Sequence, residues 1–163
     1  MDFTTENFKR SGISGVVAAL VMFIPMMILT KGLGVAPFEM PPSAALLYSQ
    51  GMPPMPGGPV LHFVYGIFWA VLFFAYFKKP YTLKQALGLS LLMWLIMQLV
   101  LAPLIGWGLF GTGAGYLEGT PLALGPTPKY LLVTLVFHLI YGLVLGLMAK
   151  RYNKNQPQET LTS

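Results

Sequence analysis

Cysteine is missing from the chain, which excludes disulfides, thiolate metal sites, iron–sulfur clusters and thiol nucleophiles. Charge is nearly as scarce. Asp, Glu, Lys and Arg make up 9% of the residues, against about 25% in soluble domains. That balance, with 55% hydrophobic residues, excludes a soluble globular enzyme and a disordered chain. The 163 residues are expected to form one domain in a lipid bilayer. Histidine occurs only twice, and that scarcity gives each copy weight.

The formal charge is +5, but its distribution argues against a nucleic-acid partner. Eight of the ten basic residues fall in three clusters: Lys9 and Arg10; Lys78, Lys79 and Lys84; Lys150, Arg151 and Lys154. Each cluster abuts a long apolar run, as topogenic basic residues on the cytoplasmic side of a membrane do. Lys31 and Lys129 are the exceptions.

The apolar runs predict four spans, about 12–30, 60–77, 85–108 and 130–149, each near the roughly 20 residues of helix that cross a hydrocarbon core. The expected fold is an all-α, four-transmembrane-helix bundle occupying residues 1–152. Both termini are expected in the cytoplasm of a cell with the protein in its inner membrane, and 153–163 reads as a disordered cytoplasmic tail. The first run is longer than a signal h-region, so it is expected to stay as an anchor. Two long connections lie on the outer side. The first holds 12 Gly or Pro in its 29 residues from Lys31 to Pro59, and Pro41 to Tyr48 within it reads as a short interfacial helix.

Spans two and four repeat one motif. Leu61-His62-Phe63-Val64-Tyr65-Gly66 matches Phe137-His138-Leu139-Ile140-Tyr141-Gly142. Pro25 and Pro103 precede the two histidines by 37 and 35 residues, and Glu39 and Glu118 occupy matching places in the outer loops. The pattern predicts a duplicated helical hairpin, with units of about 12–79 and 85–154. Two spans per unit make it a parallel repeat about an axis along the membrane normal. Each histidine stands 16 residues from its aligned lysine, about 24 Å at helical rise, which puts both in the outer part of the bilayer.

Positions i, i+3 and i+4 share a helix face, so His62, Tyr65 and Gly66 form one stripe and His138, Tyr141 and Gly142 another. Ionisable residues inside spans point to a site by default. Packing explains the same pattern, since glycine admits a neighbouring helix and His or Tyr bonds across it. The functional alternatives are three. A b-type haem held between His62 and His138 would use Gly66 and Gly142 as clearance and Tyr65 and Tyr141 as partners, in an electron-transfer role. A divalent metal or copper would draw on His62, His138, Glu39 and Glu118, with Met40, Met52 and Met55 favouring copper. Met22, Met26, Met27, Met93, Met97 and Met148 read as ordinary span residues. Transport or a pore would need an oligomer, with Gln98 and the two prolines as its only marks. No charged residue lies inside a predicted span, and 111–115 lacks the context of a phosphate loop.

Pro59 to Gly66, Leu101 to Gly111 and Phe137 to Gly146 resemble a group of uncharacterised bacterial four-span membrane proteins, a domain of unknown function. The resemblance covers most of 12–152. It implies the four-helix fold and the repeated His-x-x-aromatic-Gly pattern, and brings no activity. The functional expectation is a small accessory or structural subunit of a larger membrane complex, or a homo-oligomer, rather than an enzyme acting alone.

Overall fold

The computed structural model describes residues 5–154. Helix α1, Thr5–Met27, runs into a π-helical turn, Ile28–Gly32. A short α2, Pro42–Ser49, interrupts the first long connection, with Pro42 in its first turn as expected. Helix α3 covers Gly57–Tyr76 and α4 covers Leu83–Ile96. The latter continues through a second π turn, Met97–Leu101, and an α-helical turn, Ala102–Ile105, to a left-handed stop at Gly106. Helix α5, Thr127–Lys154, closes the chain. It runs two residues into the segment expected to be tail, and 155–163 lies outside the described residues. Among those residues the only strand-like pairing is one bridge, Phe38 to Leu124.

Four stretches are long and apolar enough to cross a membrane: Phe8–Gly32, Gly57–Tyr76, Leu83–Ile105 and Thr127–Asn153. The chain is therefore a multi-pass membrane protein. Polar span residues point inward, while apolar ones line both the core and the outer surface. On α5, Thr134, His138 and Tyr141 are buried while Leu132, Val136, Leu143 and Leu147 are exposed. A bilayer inverts the aqueous rule in this way, because lipid solvates leucine and leaves polar groups to pair inside.

Helix α1 pairs most extensively with α3, and α4 with α5. These are the two expected hairpins, and α1 also lies against α5. Small residues set the approach. A Cβ on Gly66 would fall 2.8 Å from the Ala19 methyl, and one on Gly142 would fall 2.9 Å from the Ala86 carbonyl oxygen. The motif glycine thus sits at a close approach within each hairpin, and Gly15 of α1 meets the Ile67 backbone in the same way. Helices α3 and α4 are instead held apart by aromatic side chains, leaving a groove of about 490 Å³ between Trp69, Tyr76 and Leu92.

The two halves do not superpose on their prolines. Ala19 and Ser90, which meet equivalent glycines, are 71 positions apart. The π turns beginning at Ile28 and Met97 are 69 apart, whereas Pro25 and Pro103 are 78 apart. In α1 the proline precedes the wide turn, and in α4 it follows it. In α4 the ring of Pro103 crowds the carbonyl of Leu99, four residues back and inside the π turn, and a π turn is one way to relax a helix there.

One end of the bundle carries the start of α1, the end of α5 and the α3–α4 connection. Asn153 ties that connection down. Its Oδ1 accepts from the Tyr81 N–H at 2.9 Å, and its Nδ2–H donates to the Tyr81 carbonyl at 2.8 Å. The Arg10 guanidinium sits 5.2 Å from the centre of the Tyr152 ring, a cation–π contact joining α1 to α5. Replacing Asn153 with alanine removes two hydrogen bonds and should cost about 1–3 kcal/mol. Asn153→Asp, which keeps only the acceptor, should cost less in thermal unfolding; equal losses would mean the clamp is not the cause.

A candidate site at the paired histidines

The buried core divides into two clusters. One surrounds Phe73, Leu89 and Leu145; the other surrounds Met97, Trp107 and Phe137, at the end bearing the long connections. The seam between them holds a cavity of about 140 Å³. His62 from α3 and His138 from α5 both line it, so the repeat delivers its two histidines to one place. Pro42, Ser43 and Leu46 of α2 also line it, and α2 is tethered to the end of the third span, where Gln50 Nε2 donates to the Leu104 carbonyl at 3.3 Å.

The hydrogen bonds fix both rings. His62 Nε2 lies 3.1 Å from the Ala19 carbonyl oxygen of α1, and His138 Nδ1 lies 2.7 Å from the Thr134 carbonyl oxygen one turn back. A carbonyl only accepts, so each of these nitrogens carries a proton. In the neutral rings, the lone pairs are then on Nδ1 of His62 and Nε2 of His138. The equivalent histidines use opposite nitrogens and different partners. Thr134 itself is anchored by α4: its Oγ1 accepts from Gln98 Nε2 and from Trp94 Nε1, each at 3.1 Å, and donates to the Tyr130 carbonyl at 2.8 Å. Gln98 is completely buried and His138 is 3% exposed.

The other expected site residues divide. Tyr141 donates its hydroxyl to the Gly66 carbonyl, joining α5 to α3 across the bundle. Tyr65 lines the cavity. Its hydroxyl lies beside the Trp69 indole N–H one turn on, and neither makes a well-formed hydrogen bond. Ser43 Oγ is buried at the cavity wall without a partner. Gly66 and Gly142 do not open space for a macrocycle: Ala19 and the Tyr141 ring fill the first position, and Ser90 with Ala86 fills the second. The cavity is the size of one that accepts benzene, about 150 Å³, so the residues do not fit a haem.

Glu39 and Glu118 are exposed, and Glu39 borders a separate surface pocket with Lys31 and Thr120. Lys31 Nζ donates to the Glu39 backbone carbonyl at 2.8 Å. Among the described residues no three His, Asp or Glu side chains come together for a metal, so the four-residue set of His62, His138, Glu39 and Glu118 is not assembled. What the sequence reading passed over are Met22, Met26 and Met97, which line the cavity beside the histidines. Their spacing gave a signal, since Met22 and Met26 are four apart on the α1 face that meets α3. Nothing local distinguished them from core packing.

These features define a class: a four-span, all-α membrane protein with a histidine pair from two hairpins around one small cavity. The sequence model of a family of unknown function, DUF6789, matches residues 5–160, and the chain belongs to that family. No curated protein and no solved structure matches it significantly.

Proposed function

We propose that the protein is a small ligand-binding subunit of the membrane. It holds a compact ligand between His62 and His138 and serves a larger membrane assembly as an accessory component, rather than turning over substrate alone. The observation that carries this reading is the convergence of the two histidines, with an unpartnered Ser43 hydroxyl, on one otherwise apolar cavity. A few polar groups in an enclosed apolar space are the ordinary make-up of a ligand site. The basic clusters support a cytoplasmic terminal end, with the cavity in the outer half of an inner membrane. The shared motif and the two hairpins support a duplication in which each half contributes one histidine.

The test uses phenol, whose ring fits the cavity and whose hydroxyl can donate to an imidazole lone pair, with toluene as the apolar control. At ten times its dissociation constant a bound probe stabilises by about 1.4 kcal/mol, or roughly 3–6 °C in the unfolding midpoint for a chain of this size. The detergent-solubilised protein should respond to phenol more than to toluene. Ser43→Leu, which fills the wall, should abolish the response and leave the protein folded. An unresponsive wild-type protein, or a Ser43→Leu variant that responds as well as wild type, overturns the reading.

A further inference from the structure

We infer that the histidine cavity is a site for a soft monovalent metal ion, Cu(I), held by the imidazoles of His62 and His138 and by the thioethers of Met22, Met26 and Met97. This deepens the proposed ligand-binding role and rests on it. The donors come first. Each imidazole has one nitrogen tied to a carbonyl, Ala19 for His62 and Thr134 for His138, which leaves the other with its lone pair. A ring N–H held by a backbone carbonyl is the usual arrangement behind a metal-bound histidine. Three thioethers line the same cavity, from α1 and from the π turn of α4. Isolated π turns recur at functional sites.

Charge then selects the ion. Every one of these donors is neutral, and the carboxylates of Glu39 and Glu118 are exposed elsewhere. A divalent ion would bring two uncompensated charges into the bilayer, where each is costly. Cu(I) brings one, and thioether with imidazole is the donor set it prefers.

The placement of the remaining methionines points the same way. A neighbouring pocket of about 310 Å³ is lined by Met27, Met40 and Met55, and it shares Ser43 with the histidine cavity. Met55 is 65% exposed, so this pocket reaches the surface. Below the cavity a smaller pocket shares Met22 and His62 with it and adds Met93. Seven of the ten methionines thus border three adjoining spaces that run from the loop surface past the histidines. Packing alone calls for no such line, and a soft ion passing from thioether to thioether does.

The experiment titrates Cu(I), kept reduced with ascorbate, into the detergent-solubilised full-length protein against a chromophoric Cu(I) chelator. Ag(I) serves as a redox-inert parallel and Zn(II) as the divalent comparison. One Cu(I) and one Ag(I) per chain are expected, with Zn(II) not competing. X-ray absorption should show nitrogen and sulfur neighbours together. Met26→Leu and Met97→Leu keep the volume and should weaken Cu(I) by at least about tenfold, the lower end of what losing even an outer-shell partner costs. His138→Ala should abolish stoichiometric binding, and Met148→Leu, which borders none of these spaces, should leave it unchanged. No stoichiometric Cu(I), binding indifferent to the Met26, Met97 and His138 substitutions, or equal affinity for Zn(II) each overturns the inference. If phenol still stabilises the protein while Cu(I) does not bind, the cavity reading survives and the metal falls; if neither binds, both fall.

Discussion

Gly142→Val is expected to remove most of the folded protein. A Cβ at this position would overlap the Ser90 side chain and lie 2.9 Å from the Ala86 carbonyl oxygen. Serine can rotate away, but a helix backbone cannot without moving α4 from α5. Overpacking of a close contact costs about 1–3 kcal/mol and more where the backbone must shift. Here valine adds two further methyl groups to an approach already closed to one, so the loss belongs at or beyond the upper end. Gly88→Ala supplies the contrast. Gly88 lies on the same helix as Ser90, yet no atom lies within 4 Å of its added Cβ. Alanine there gains about 0.8–1.0 kcal/mol of helix propensity, so the unfolding midpoint should hold or rise. Monodispersity by size-exclusion chromatography and thermal unfolding in detergent read both. Equal behaviour of the two variants would mean that α4 and α5 do not meet as closely as this.

The contrast also shows what the amino-acid order reveals. Scarce charge and its clustering located the four helices, because the cost of charge in hydrocarbon leaves few places for it. The histidine pair was legible for a related reason: with no charged side chain in the predicted spans, a repeated histidine stands out. Which neighbour a span residue touches was not legible. Apolar residues face lipid and core alike in a membrane, so periodicity did not separate the cavity-lining Met22, Met26 and Met97 from lipid-facing Leu20 or Leu99. Glycine was ambiguous in the same way. Gly66 and Gly142 read equally well as clearance for a cofactor or for a helix, and only the positions of Ala19 and Ser90 decide between them. The matched acids misled because equal places in two loops do not imply equal distance from a buried site. Glu39 is exposed, next to an isolated antiparallel bridge between Phe38 and Leu124.

The connection between the third and fourth spans carries the second large effect. Trp107 was expected inside the third span, 85–108, but it stands just past the left-handed stop at Gly106 and is completely buried. The flanking Gly106 and Gly108 have φ of +96° and +70°, a left-handed backbone that folds the chain sharply around the indole. Its Nε1–H donates to the Leu122 carbonyl at 2.8 Å, and its ring packs edge-on to Tyr130 with centroids 5.6 Å apart. One side chain therefore pins both limbs of the loop to α5. Trp107→Ala should cost about 3–5 kcal/mol from the lost packing and the cavity left behind. That is roughly 6–20 °C in the midpoint for a chain of this size. Trp107→Phe keeps much of the packing but leaves the Leu122 carbonyl unpaired, and should fall between. Limited proteolysis should cut first between residues 109 and 126, because the spans stay shielded by detergent while the loop comes free. Trp107 shares its cluster with Met97 and Phe137, two walls of the histidine cavity. Trp107→Ala should consequently lose the phenol response at temperatures where the helices remain folded. A variant that keeps that response with its loop already cleaved would show that the cavity is held by the spans alone.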